Sequence, residues 1–211
     1  MSSETPIAVT VGNAFPTGKF YIIEPSFWGG GKMPGLEIAN EEKLMLPGSF
    51  IVEPPNGDPN QYPERPHLVH LPKLGAAPRD FEELASKWIV SEHLKGVFES
   101  VDPDAFAFAA CDFTQADGTP GPAYYLCNVV RTLDALDEQA SRLKIKIGDY
   151  VNGKYYSLAG GANLIFKDDV IGSAHVFRTP FADTVFCDRA FYDAVNAAHL
   201  KGVGFLDTAE C

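Results

Sequence analysis

Residues 88–111 read WIVSEHLKGVFESVDPDAFAFAAC, and three kinds of patterning follow one another within them. The apolar triplet Trp88–Val90 stops at Ser91, a residue type whose side-chain oxygen caps free backbone N–H groups at a helix start. Glu92 comes next, where a negative charge suits the positive end of the helix dipole. Leu94, Val97 and Phe98 recur at helical spacing and form one apolar face, so a helix is predicted from Ser91 to about Asp102–Pro103. The apolar run from Ala105 to Cys111 has the length and flanking turn residues of a buried strand. The stretch therefore reads as a strand–helix–strand unit.

A second stretch near the C-terminus, VFCDRAFYDAVNAAHLKGVGFLD at 185–207, has the same layout, with Asp188 as the cap. Counted from the caps, Leu94, Val97, Phe98, Phe106 and Phe108 share their offsets with Phe191, Ala194, Val195, Val203 and Phe205. Equal offsets point to an internal repeat and a pseudo-symmetric core; the alternative is chance agreement between two amphipathic patterns. Between the two units, AYYLCNVVRTLDAL (123–136) is rich in aromatic and β-branched residues and predicts one long strand or two, central in a sheet. Short strands are also predicted at Lys19–Glu24, Ser49–Glu53, Lys154–Leu158, Asn163–Phe166 and Ala174–Arg178. Seven prolines between Pro54 and Pro78 exclude a continuous helix or a central strand there and predict an irregular connection. The fold class is α+β, mainly antiparallel or mixed sheet with a few helices. The chain divides into an N-terminal strand and loop region, 1–78, and an α+β domain, 79–211.

Composition narrows the function. At 211 residues, 45% hydrophobic and 21% charged, the chain can bury a core and lies outside the disordered range. The first ten residues, MSSETPIAVT, lack the basic start and apolar stretch of a secretory signal, and the longest apolar run is too short to cross a bilayer as a helix. Four separated cysteines (111, 127, 187 and 211) without a C-x-x-C pair read as free thiols, three of them in apolar surroundings, in a reducing compartment; a cytoplasmic location is expected. A formal net charge of −11 disfavours nucleic acid and anionic membranes and favours a basic partner.

Catalytic constellations are missing from the sequence. His67 and His70 form an H-x-x-H pair, but Pro66 and Pro72 enforce an extended chain on which side chains three apart face opposite ways, so no metal site is expected. The glycine-rich FWGGGKM at 27–33 fails as a phosphate loop, with Ser26 where the first glycine belongs and Met33 where Ser or Thr should stand. Ser173 lacks a nucleophile-elbow setting, and the apolar neighbours of Cys127 make it a core thiol. No catalytic residue, cofactor or metal is expected, and the chain is read as a binding protein. What stands out is charge: from Glu92 to Glu138 there are nine acidic residues against two basic ones.

The succession DFEELASKWIVSEHLKGVFESVDPDAFAF, YYLCNVVRTLDALDEQAS, SAHVFRTP and VFCDRAFYDAVNAAHLKGVGFLD, spanning about Asp80 to Asp207, resembles a family of immunity proteins from bacterial polymorphic toxin systems. It is the eleventh such family to be catalogued and was earlier a domain of unknown function. The shared features are a Val-Ser-acidic helix start, an Asn-Val strand leading to Leu-Asp and Ser141, a His-x-Phe-Arg strand and a Gly-Val-x-Phe ending. The resemblance implies a cytoplasmic protein that neutralises a cognate toxin, delivered for example by type VI secretion, through stoichiometric occlusion. Joined to the charge pattern, it nominates Glu92, Glu99, Asp102, Asp104, Asp112 and Asp117 as one acidic surface facing a basic toxin cleft. An adaptor or chaperone for a secreted effector shares the same acidity and is the alternative, followed by a cryptic enzyme.

Overall fold

The computed structural model describes residues 18–26, 34–49 and 52–211. The N-terminal decapeptide, the glycine-rich loop at 27–33 and part of the strand predicted at Ser49–Glu53 lie outside them. The elements of the first half are β1 (Phe20–Pro25), β2 (Leu36–Ile38), α1 (Glu41–Leu44), β3 (His67–His70), β4 (Phe81–Leu84), β5 (Lys87–Ser91), α2 (Glu92–Val101), β6 (Phe106–Thr114) and β7 (Tyr124–Val129). Then follow β8 (Lys144–Ile147), β9 (Lys154–Ser157), α3 (Asp168–Ile171), β10 (Val176–Thr179), β11 (Ala182–Asp188), α4 (Arg189–Ala197) and β12 (Val203–Asp207).

Both helix starts form as their sequences require. Ser91 Oγ accepts from Leu94 N at 3.2 Å, and Asp188 Oδ1 accepts from Phe191 N at 3.0 Å. Each helix leaves its first strand and returns to the same sheet, but not to the adjacent position. One sheet is ordered β2-β3-β6-β7-β5-β4 and the other β10-β11-β1-β12. In the first, β7 lies between β5 and β6, antiparallel to both. In the second, β1 lies between β11 and β12, again antiparallel to both. Each unit is thus a hairpin, a helix and a returning strand parallel to the strand before the helix, with one slot between them filled from elsewhere in the chain. The filler is the next strand in one unit and the N-terminal strand in the other.

The repeat extends to the polar ties. The residue before β4, Asp80, accepts Ser91 N through its carbonyl at 2.8 Å and Ser91 Oγ through its carboxylate at 2.9 Å. The residue before β10, His175, likewise accepts Asp188 N at 3.0 Å, and its Nδ1 lies 2.7 Å from Asp188 Oδ2. The units also clasp one another across the molecule. Asp102, which ends α2, accepts from His175 N and Val176 N at the start of β10 (2.8 and 2.9 Å), while Lys201, beyond α4, accepts Phe81 N at the start of β4 at 3.1 Å.

The helices meet between the sheets. Phe98 of α2 and Phe191 of α4 are fully buried with ring centroids 5.1 Å apart, and Phe106 stacks on Phe98 at 4.6 Å. Leu94, Val90, Tyr21 and Ile23 belong to this central cluster. Each such side chain contributes about 1.5–3 kcal/mol through removal from water. A second cluster (Phe20, Phe177, Phe186, Phe166, Leu164) lies on the far side of the four-stranded sheet, and a third (Leu36, Leu68, Ile89, Leu126) on the far side of the six-stranded one. N-terminal and C-terminal segments share both sheets, since β1 pairs with β11 and β12, and β3 pairs with β6.

Several local expectations are corrected. β3 is an internal strand of its sheet despite the surrounding prolines, because Pro66 and Pro72 flank its four residues without entering them and the Pro66 carbonyl still accepts Asp112 N at 2.9 Å. The segment 123–136 is a strand only as far as Val129; beyond it the chain makes isolated bridges at Thr132 and Leu136. Asn163–Phe166 likewise forms two isolated bridges in place of a strand.

Candidate functional site

Three of the six nominated carboxylates are gathered on one face. Glu92 and Glu99 project from α2 one turn to either side of Lys95, whose Nζ lies 2.7 Å from Glu99 Oε2 and 5.2 Å from the ring centroids of both Phe108 and Tyr125. The Tyr125 hydroxyl donates to Glu92, a contact that favours the neutral phenol and raises its pKa. Asp112 stands further along β6 and pairs with Arg65 at 3.1 Å. Tyr125 feels Arg65, Glu92 and Glu99 together. The face is an aromatic strip of Phe108 and Tyr125 edged by charges of both signs.

Asp117 lies in the turn beyond β6, where the Thr119 hydroxyl and N–H donate to its carboxylate and lower its pKa. Asp104 is exposed but lies in the helical turn Pro103–Ala105 before β6, whose six steps from Phe106 to Asp112 span about 20 Å at the usual strand rise. Among the described residues Glu92, Asp104 and Asp117 have no cation within salt-bridge distance.

Asp102 stands apart from this surface. Its side chain is only 6% exposed, Arg131 pairs with it, and its Oδ2 accepts the two N–H groups that open β10. Burial opposes its ionisation, but the guanidinium and the backbone donors outweigh that and hold the carboxyl below its ordinary value. Sequence offered no sign of this, because a carboxylate following a helix reads alike whether it faces water or another strand.

The structure also holds a cleft, which the sequence reading did not anticipate. It has a volume of about 670 Å³ and opens between the β4–β5 turn, the proline-rich segment and the ends of β7, β10 and β11. Glu53, Glu83, Lys87, Trp88, Asn128, Arg178 and Asp183 line it. Burial lowers the pKa of Lys87, against the pull of Glu53 and Glu41, and raises that of Glu83. Asn128 joins two sides of the cleft: its amide donates to the Gly57 carbonyl, and its Oδ1 accepts from Arg178 at 3.3 Å. Two residues of the adjoining turn, Ala85 (φ 49°) and Ser86 (φ 63°), hold the left-handed backbone that links β4 to β5.

Burial pushes the Cys111 thiol up to about 12, and those of Cys127 and Cys187 well above their ordinary value, so these thiols stay protonated. His67 and His70 share β3; Nε2 of His67 lies 2.8 Å from Thr114 Oγ1. Among the described residues no three His, Cys, Asp or Glu side chains converge as a metal site, and no helix is long and apolar enough to cross a membrane.

A family model described as Immunity protein family (Imm11) matches residues 19–210. The chain belongs to the Imm11 immunity protein family. No curated protein is similar enough to count as a relative. In this Imm11 chain the motifs quoted from the sequence fall on framework positions: Ser91 caps α2, Ser141 exchanges hydrogen bonds with Ile165, and His175 holds the cap residue Asp188. Two of those motifs, Asn128-Val129 and His175-x-Phe177-Arg178, meet at the wall of the cleft.

Proposed function

We propose that this Imm11 protein neutralises a cognate bacterial toxin by binding it one to one and covering the surface the toxin uses, without catalysing a reaction. The family match over residues 19–210 carries the reading. The face around Tyr125 and Phe108 supplies what such contact needs, partly exposed aromatic area with charges at its margin, and Asp104 and Asp117, which lie off that face without a cationic partner among the described residues, add to the field that attracts a basic toxin. With a net charge of −11, long-range attraction raises the encounter rate with a cationic partner by one to three orders of magnitude, roughly, at low salt. Asp102 takes no part in the contact in this reading; it fastens the two repeats together.

The test is co-expression of the chain with the toxin encoded beside its own gene. Growth is expected to recover, and the double variant Asp104→Lys/Asp117→Lys is expected to associate more slowly with little change in dissociation. An adaptor would alter secretion without restoring growth. Unchanged association kinetics in the double variant would remove the acidic surface from the proposal.

A further inference from the structure

The two most exposed large apolar side chains of the described residues share one short hairpin. Val151 is 101% exposed and Ile147 77%, and Tyr150 and Tyr155 are exposed beside them. β8 and β9 form a two-stranded sheet of their own, with Ile145 opposite Tyr156 and Ile147 opposite Lys154. Its base is anchored: Tyr156 is buried, Ile145 packs on the second core cluster, and Tyr156 N donates to the Phe181 carbonyl at 2.8 Å. Beyond that base the hairpin leaves the core.

The projecting part is ordered in advance. Gly148 N donates to Gly153 O at 3.2 Å, Gly153 N to Tyr150 O at 2.9 Å, and Asn152 Nδ2 to Pro180 O at 2.5 Å, which ties the loop to the β10–β11 turn. Tyr150 and Tyr155 stack at 5.6 Å. A fixed apolar tip loses little conformational freedom on contact, a condition for strong binding. Lys146 lies next to the tip, Lys144 at the base of the hairpin and Arg142 just before it, none within salt-bridge distance of a carboxylate among the described residues, while Asp149 stands in the tip itself. With three lysines against Asp149, the hairpin is net positive on a chain of net charge −11.

From this we infer that the β8–β9 hairpin is an anchor that seats Ile147, Tyr150 and Val151 in an apolar recess bordered by acidic side chains on the toxin. The inference rests on the proposed function and adds a second contact, opposite in sign to the first. Two contacts of opposite charge fix the orientation of a partner and reject proteins with only one of them. A second copy of this chain fits poorly, because a two-fold contact through the hairpin brings Lys144 and Lys146 against their own equivalents. An anionic membrane fits poorly too, since the rest of the chain repels it.

The test measures binding of the full chain to an inactivated toxin domain encoded by the neighbouring gene, by calorimetry. The variant Ile147→Ser/Val151→Ser alters only exposed side chains, and its unchanged melting temperature verifies folding. Its dissociation constant is expected to rise roughly tenfold or more, and Lys146→Glu is expected to weaken binding as well. Full-strength binding by both variants overturns the anchor while leaving the proposed function intact. Absence of binding by the unaltered chain refutes the proposed function and the anchor together. A loss that appears only with phosphatidylserine vesicles, and not with the toxin domain, reassigns the hairpin to a membrane and also overturns the inference.

Discussion

Replacing Asp102 with alanine is expected to damage the fold far more than any other change among the acidic residues of the α2–β6 region. The carboxylate is nearly inaccessible and makes three contacts at Oδ2: the Arg131 guanidinium and the N–H groups of His175 and Val176. Its removal leaves two backbone donors without their acceptor, each costing about 1–3 kcal/mol, and a partly buried guanidinium without its counter-ion. Breaking a buried pair from one side costs about 3–5 kcal/mol. The lower end is the better estimate because Arg131 keeps some water and also donates to the Val176 carbonyl at 3.2 Å. Chemical denaturation should therefore show a loss of about 3 kcal/mol, and thermal melting a fall of roughly 6–12 °C for a chain of this size. Asp104→Ala, two positions along and exposed, should stay within about 0.5 kcal/mol of the unaltered protein. A loss below about 1 kcal/mol for Asp102→Ala would refute the clasp between the repeats.

Other consequences follow from the same framework. Because the Asp102 carboxyl titrates lower in the folded chain than in the unfolded one, its stabilisation is complete above the unfolded value of about 3.9 and disappears as pH falls through the lower folded value. Acid titration of Asp102→Asn should lack that part of the stability loss. Ser91→Ala should cost about 1 kcal/mol by denaturation, since Leu94 N and Asp80 both lose a partner. Ala85→Gly should stabilise the chain by up to about 1 kcal/mol, because glycine adopts the positive φ of the β4–β5 turn without steric strain. Phe98→Ala, at the contact between the two helices, should cost about 3–5 kcal/mol and abolish cooperative unfolding at physiological temperature.

The sequence carried the parts of the fold that depend on local chemistry. Ser91 and Asp188 announce helix starts, and the equal offsets that follow them correspond to two units with one connectivity and one set of polar ties. What stayed hidden depends on partners distant in the chain. No local signal says that β1 fills the slot between β11 and β12, or that Asn128 meets Arg178 across fifty positions. The four residues of β3 are obscured by the flanking prolines, which forbid a strand only where they occupy it. For the surface the limit is similar: periodicity places Glu92, Lys95 and Glu99 on one face of a helix, whereas Phe108, Tyr125 and Arg65 join them through sheet register alone. The hairpin at 144–157 reads in sequence as a small basic stretch, and only its projection from the core reveals the exposed tip.

Titration of the toxin's activity against molar equivalents of this chain tests the central claim most directly. Neutralisation by occlusion requires activity to fall in proportion to the protein added and to vanish near one equivalent, with the lost activity recovered when the complex is dissociated. Silencing of the toxin by a small fraction of an equivalent would mean turnover and would contradict the account, as would full activity in the presence of excess protein.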